Sequence, residues 1–221
     1  MKYSIAGIIA VREFDAKLHG RDNLNFQGGT LLTNKIEQLK KVEKISSVFV
    51  STESETLADI AREKGAIILK RPCEYASENA IFNDLVKYIA NQVEEDVLVW
   101  CPVTAPLVNE KDISDAIDLY LNMSDFYDSL ITVKQIKRYL LDENGPLNFR
   151  HNISERRKDK LPILYEYINA INIAKRMDIL EWGYNWGNQP YKLELPQVKA
   201  IDICEFEDYQ IAKFLSSGEV L

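Results

Sequence analysis

The stretch Val48 to Pro72, VFVSTESETLADIAREKGAIILKRP, constrains the fold of this chain more than any other. It begins inside a β-branched and aromatic run, Ser47 to Ser51, that reads as a strand buried on both faces. Thr52 and Ser54 supply hydroxyls where the run ends, and either can cap a helix. Leu57, Ala58, Ile60 and Ala61 follow at helical spacing, and Gly65 stands where a left-handed residue would close that helix. Ala66 to Leu69 forms the next strand, ended by Arg71-Pro72. Strand, helix, glycine and strand within about 25 residues predict a βαβ unit, hence parallel strands and a right-handed crossover. Ligands of such sheets bind outside the carboxyl ends of the strands. Residues 51–54 and 70–72 therefore fall on the functional edge.

The rest of the chain extends this rhythm. Tyr3 to Val11 reads as a first strand, followed by a polar loop from Arg12 to Gln27 that ends at Gly28-Gly29. Leu31 to Val42 is a predicted helix with Leu31, Leu32, Ile36 and Leu39 on one face. Asn83 to Val93 is helical, Asp96 to Cys101 (DVLVWC) is a buried strand, Ile113 to Leu121 is helical and Ser129 to Val133 is a strand. Alternation of this kind predicts a three-layer α/β fold around a mostly parallel sheet. The rhythm breaks at Lys134 to Pro162, which is polar, turns at Glu143-Asn144-Gly145-Pro146 and carries Arg150, Arg156, Arg157, Lys158 and Lys160. Strand character resumes over Tyr165 to Ile173, helix-like residues follow to Trp182, and Tyr191 to Leu195 alternates as a short strand before a last helix. No repeat or linker divides the 221 residues. They predict one domain, 1–221, with an inserted arm at about 134–186.

Charge and composition narrow the function. A net charge of −7 lacks the basic footprint of a nucleic-acid binder, although it leaves an anionic small ligand open. No stretch approaches the roughly 18 apolar residues of a membrane span, and MKYSIAGIIAV reads as a strand rather than a signal peptide. Cys73, Cys101 and Cys204 fit no zinc spacing and read as reduced thiols of a cytoplasmic protein. No P-loop or G-x-G-x-x-G follows the first strand, and two histidines build no persuasive Ser-His-Asp arrangement. The loop after the first strand carries Arg12, Lys17 and Arg21. Cations there suit a polyphosphate, with point charges in place of a glycine cradle; a solvated loop with scattered charge accounts for them equally well. Trp100 reads as core, and Trp182, Tyr184 and Trp186 as stacking residues, arm packing or a dimer contact.

Taken in order, five stretches resemble one family, the CMP-sugar synthetases (acylneuraminate cytidylyltransferases and their relatives). IIAVR with Lys17 and Asn23 is similar to the family loop I-P-A-R-G-G-S-K-…-K-N, and VSTESETLADIAREKGA to V-S-T-D-S-…-I-A-…-G-A. RPCEYASENA resembles R-P-x-E-L-A-x-D-T-A, and CPVTAPL resembles Q-P-T-S-P-L. LELPQVKAIDICEFEDYQIA answers a Pro-containing strand and then I-D-I-D-T-x-x-D-x-x-x-A, while RRKDKLP resembles the R-R-Q-D-L-P arm. The series covers nearly the whole chain.

The resemblance implies a nucleotide-diphospho-sugar transferase-like fold and a reaction in which CTP and an acidic sugar give a CMP-sugar and pyrophosphate. Mg²⁺ is implied as cofactor, and a homodimer formed through the arm as the assembly. Carried over by position, Arg12 and Lys17 hold the triphosphate, Asn23 and Arg71 help to bind the nucleotide, and Asp202 holds the metal. Cys101 and Thr104 fall at the sugar, and Arg157 faces the partner's sugar site. Several positions depart from the family pattern. Glu13, Phe14 and Asp15 replace Gly-Gly-Ser, Asp22 replaces a Lys, Cys101 the sugar-contacting Gln and Val108 an Arg. Acidic Glu13 and Asp15 would repel a triphosphate at close range. Cys204 replaces the second Asp of I-D-I-D, and a thiol is a poor ligand for a hard cation. The same departures suit a catalytically degenerate paralogue that binds nucleotide or sugar acid, or pairs with an active partner. They also suit nucleotidyl transfer to another acceptor, such as a phosphonate or a non-sialic sugar.

Overall fold

A computed structural model of the chain describes residues 3–77, 79–150 and 161–218. Its first half runs β1 (Ile5–Ala10), β2 (Asn25–Phe26), β3 (Gly29–Thr30), α1 (Leu31–Lys40), β4 (Ser47–Thr52), α2 (Glu55–Glu63) and β5 (Ile67–Lys70). Then come α3 (Phe82–Gln92), β6 (Val97–Trp100), α4 (Glu110–Asn122), β7 (Ser129–Ile136), β8 (Leu141–Asp142) and β9 (Gly145–Pro146). The described chain closes with β10 (Leu164–Lys175), α5 (Arg176–Trp182), β11 (Pro190–Glu194) and α6 (Phe206–Ser216).

Seven strands form one sheet in the order β11-β7-β10-β6-β1-β4-β5. β5, β4, β1 and β6 pair in parallel, as do β7 and β11, and β10 alone runs antiparallel to its neighbours. Alternate residues of the central strands point to opposite faces. Ile5, Ile9, Val48, Val50, Val97 and Val99 meet α1, α2, α4 and α6 on one side, whereas Ala6, Ile8, Phe49, Leu98 and Trp100 meet α3 and α5 on the other. This is the three-layer α/β arrangement expected from the sequence.

The local reasons are legible. Ser54, not Thr52, caps α2: its hydroxyl accepts from the amide of Leu57, while Thr52 Oγ1 accepts from the amide of Ser54. Gly65 adopts φ +75°, the left-handed conformation that ends the helix and turns the chain into β5. Thr30 and Thr33 cap α1 reciprocally.

The arm is smaller than its predicted bounds. Residues 164–182 belong to the body of the domain, because β10 inserts between β6 and β7 and α5 packs on the sheet. Among the described residues, 137–150 and 161–163 lie outside the seven-stranded sheet, including the β8–β9 hairpin. Trp186 packs within the chain against Tyr167 and Tyr184, whereas Ile163 is 66% exposed. The basic run 156–160, with Arg157, lies outside the described residues.

Candidate active site

Two contiguous hollows open at the carboxyl ends of β1 and β6, at the centre of the sheet. One, about 230 Å³, is lined by Ala10, Trp100, Thr104, Asn169, Asn185 and Asp202 among others. The other, about 370 Å³, is lined by Arg12, Asp15, Ala16 and Lys17. Arg21 and Cys204 line both and mark the border between them.

The second hollow is a basic wall organised by an acid. Asp15 is buried, and its carboxylate accepts from Arg12 Nη2 at 2.6 Å and from the amides of Lys17 and Leu18, with Arg21 Nη1 at 3.2 Å. Burial works against ionisation, but these partners hold the carboxyl below its ordinary range. Buried Asp22 is a second anchor of the loop, accepting from the Arg12 amide at 3.0 Å and from Arg21 Nε at 3.0 Å. Two of the three acids that depart from the family loop, Asp15 and Asp22, are therefore its internal anchors. Asp15 is turned into the protein rather than presented bare to a ligand. Arg12 and Lys17 keep a third and two thirds of their side chains exposed toward the hollow.

Asp202 lines the smaller hollow, two residues before Cys204 at the border. The strap that carries it is pinned where the amide of Ile203 donates to the carbonyl of Thr104 at 2.8 Å. Burial raises the Asp202 carboxyl, while a hydrogen bond from the Thr104 hydroxyl and the nearby Arg21 guanidinium pull it down. Asp202 is not a first-turn residue of the last helix, because α6 starts four residues later with Glu205 as its cap. Cys204 is exposed, and burial of its sulfur together with Asp202 and Asp208 pushes its thiol up. It stays protonated at neutral pH. Among the described residues no group of three or more His, Cys, Asp or Glu could cage a metal. The donors fit Mg²⁺ held by Asp202 with phosphate oxygens and water, a common arrangement for this ion.

The loop between β6 and α4, which presents Thr104, rests on a residue the sequence reading missed. Lys35 of α1 is fully buried, and its ammonium donates to the carbonyls of Ala105 at 3.0 Å and Val108 at 3.3 Å. Gln38 adds a longer bond to the Pro106 carbonyl. Burial brings the Lys35 ammonium down to about 8, against the pull of Cys101 and Asp112. A lysine one position before Ile36 in an apolar helix face was the available signal.

The other expected residues are dispersed. Arg71 does not join Arg12 and Lys17: its guanidinium is almost fully buried, bonded to Glu53 Oε2 at 2.9 Å and to the carbonyl of Val11. It is a strut between the ends of β5 and β1. Asn23 is exposed and lines a separate hollow with His19, Ser54 and Thr56, to which Arg12 is common. Cys101 cannot meet a sugar here, being fully buried in the core with its thiol pushed up to about 12. The reason is register. CPVTAPL has seven residues against six in Q-P-T-S-P-L, and counting back from Pro106-Leu107 puts Pro102 opposite the Gln. Trp100 is core as expected, yet it also lines the smaller hollow. Asn169 and Asn185 went unnoticed in the sequence. Asn169 reaches the hollow because β10 bulges between Ile168 and Asn172, around a Thr132 hydroxyl that accepts from the amides of Ala170 and Ile171.

A sheet of this order with a strand-end cleft is the nucleotidyltransferase-like α/β fold, and solved structures agree. The chain superposes with a TM-score of 0.69 on a CMP:2-keto-3-deoxy-manno-octonic acid synthetase complexed with CTP, at 11% identity and covering 98% of this chain and 100% of that one. It superposes with a TM-score of 0.68 on a 4-diphosphocytidyl-2C-methyl-D-erythritol synthase from Anaerococcus prevotii DSM 20548, at 12% identity and 97% and 95% coverage. A family profile described as cytidylyltransferase matches residues 6–216, so the chain belongs to the cytidylyltransferase family. It is 25% identical over 219 residues to the N-acylneuraminate cytidylyltransferase of Escherichia coli O18:K1:H7, covering 96% of this chain and 52% of that protein. It is 21% identical over 215 residues to a Helicobacter pylori protein named pseudaminic acid cytidylyltransferase and UDP-2,4-diacetamido-2,4,6-trideoxy-beta-L-altropyranose hydrolase, covering 93% and 41%. The chain thus spans about half or less of the length of these curated relatives.

The buried Lys35 generates a pH test. Below about 8 both the folded and unfolded chains hold its proton, and the cost of burying the charge is fully present. Between about 8 and 10.5 the unfolded chain keeps the proton and the folded chain does not, so stability rises with pH. Lys35→Met removes this dependence. From about pH 7.5 to 9.5, urea melts should show the unfolding free energy of wild type gaining about 2 kcal/mol on the variant. An unchanged difference would show that Lys35 titrates normally.

Proposed function

We propose that this protein transfers CMP from CTP to the anomeric hydroxyl of an acidic sugar and releases pyrophosphate. The observation that carries the reading is the pair of joined hollows, one basic and one holding Asp202, in a chain whose family is the cytidylyltransferases. Arg12, Lys17 and Arg21 receive the triphosphate in the basic hollow. The acceptor lies in the smaller one, which brings its hydroxyl and the α-phosphorus together at the border beside Asp202 and Cys204. The hydroxyl oxygen bonds to the α-phosphorus, its proton is released, and pyrophosphate leaves toward the cations. Positioning and charge carry such a transfer, with little covalent chemistry asked of the protein. Mg²⁺, when bound, neutralises charge developing on the phosphates, and Asp202 with its Thr104 hydrogen bond is the residue placed to hold it. The protein works in the cytoplasm, where CTP is made. Among the described residues no helix is long and apolar enough to cross a membrane.

Calorimetry should find CTP bound in preference to ATP, GTP and UTP. Arg12→Ala should weaken CTP at least tenfold, about 1.4 kcal/mol; equal affinity for all four nucleotides defeats the reading.

Cys204 separates turnover from binding alone. With Asp22 taken up by Arg12 and Arg21, Asp202 is the carboxylate of the smaller hollow left for a metal, so pyrophosphate release should need high Mg²⁺, and Cys204→Asp should raise the rate and lower the Mg²⁺ required, because it adds an oxygen ligand. Asp202→Ala should abolish release. If wild type and Cys204→Asp are both inert while CTP still binds, the chain is a nucleotide-binding paralogue.

The assembly is a homodimer through the projecting β7–β10 region, where Ile163 (66%), Tyr167 (40%) and Tyr165 (37%) are exposed together near one end. Light scattering at micromolar concentration should give twice the chain mass; a monomer removes the proposal.

A further inference from the structure

Arg12 is held at its main chain as well as at its tip. Its guanidinium meets Asp15, and the peptide groups on both sides of its Cα are gripped by charged side chains from elsewhere in the fold. In the peptide between Val11 and Arg12, the carbonyl accepts from Arg71 Nη2 and the N–H donates to the Asp22 carboxylate at 3.0 Å. In the next peptide, the N–H of Glu13 donates to Glu53 Oε1 at 2.9 Å. Glu53 and Arg71 are also a pair, since Glu53 Oε2 accepts from Arg71 Nη2 at 2.9 Å and from Nε at 3.2 Å. Both belong to the βαβ unit, where Thr52 of β4 lies in register with Lys70 of β5 and the two residues follow directly. Backbone bonds fasten the same corner. The Val11 amide donates to the Ser51 carbonyl at 3.0 Å, and the Arg71 amide to the Thr52 carbonyl at 3.1 Å.

A peptide group is planar, so fixing the planes on both sides of a residue fixes its φ and ψ and the direction in which its side chain leaves the chain. Hydrogen bonds to ionised groups are the strong ones, and each of these grips is of that kind. The Glu53 and Arg71 side chains are 16% and 3% exposed, and neither residue lines the basic hollow, so neither is placed to touch a ligand there. Stability alone does not call for them, because an apolar pair of similar size often replaces a buried ion pair without loss. An apolar pair cannot hold the two peptides. We infer that Glu53 is a positioning residue for triphosphate binding, which together with Arg71 sets the backbone of Arg12 so that its guanidinium serves the basic hollow. This rests on the transferase reading for the identity of the ligand. Its sign is opposite to that of simple charge: removing a carboxylate from this edge of the sheet would tighten an anion by Coulomb's law, whereas removing the clamp loosens it.

The test is calorimetry of CTP binding to the full chain. Glu53→Gln should weaken CTP about fivefold, and unchanged or tighter binding overturns the inference. That variant leaves a buried guanidinium without its carboxylate, which endangers folding, so a second variant replaces the pair together, Glu53→Met with Arg71→Met, and strands no charge. Its thermal midpoint should stay near that of wild type while CTP remains about fivefold weaker. Added to Arg12→Ala, the paired replacement should change CTP affinity by less than about twofold, because the clamp acts through Arg12. Wild-type affinity in the paired variant, or a loss that adds in full to that of Arg12→Ala, overturns the inference and leaves the transferase reading intact. The coupled loss without pyrophosphate release from any acidic sugar supports the clamp and removes the transferase reading. A wild type that binds no CTP overturns both.

Discussion

The Asp15 carboxylate is the interaction on which the basic wall depends. A loop of residues 11–24 with three cations would splay by mutual repulsion if nothing gathered them. Asp15 holds Arg12 and Arg21 and takes the amides of Lys17 and Leu18, and Asp22 ties the same two arginines from the far side. A glycine-rich loop presents backbone amides to a phosphate because its chain can turn tightly. Here most of the loop wraps around two buried carboxylates, and side-chain cations face the hollow instead. The left-handed turn needed to close it falls to Gly20, at φ +66°.

The opposite wall is held by a cation rather than an anion. Lys35 ties the carbonyls of Ala105 and Val108, and the neighbouring Thr104 then meets Asp202 by side chain and Ile203 by main chain. α1 thus reaches the Asp202 carboxylate through one loop and two hydrogen-bonded steps. Lys199, bonded to Asp112 at 2.7 Å, fastens the strap to the start of α4 from the other end. A buried ammonium is costly, and a longer apolar side chain would fill the same space. It cannot, however, satisfy two carbonyls that the proline-bearing loop leaves without strand partners.

The fold was legible because its signals are local and repeated. The βαβ stretch carries a cap, an apolar helix face and a C-terminal glycine in register, and each fell where the sequence placed it. The body of the site was legible in part. Arg12, Lys17, Thr104 and Asp202 do come to the two hollows. Arg71 looked equivalent because it too is a cation at a strand end, but nothing in its neighbours' identity reveals that Glu53 and the Val11 carbonyl consume it. Cys101 was misplaced by one residue, and a one-residue slip at a strand end exchanges core for cleft. Asn169 depends on a bulge, and Asn185 on an aromatic cluster of Phe82, Tyr184 and Trp186 assembled from two distant segments. Neither has a periodic signature to read.

Charge balance explains how the site can accommodate Cys204. Around the two hollows Arg12, Lys17 and Arg21 face Asp15, Asp22 and Asp202, three cations against three carboxylates. Taken together the two hollows are close to neutral, with the cations gathered in the larger one and Asp22 and Asp202 on the smaller. A second aspartate at position 204 would tip the balance toward repulsion and make a bound cation a condition for nucleotide binding. A thiol kept protonated by burial of its sulfur, with Asp202 and Asp208 nearby, adds no charge. A thiol at this position is a poorer ligand for a hard cation than a carboxylate would be, and it adds no negative charge to the hollows. A neutral side chain at 204 and an acidic loop therefore go together, because Asp15 and Asp22 already supply negative charge that a fourth carboxylate would add to.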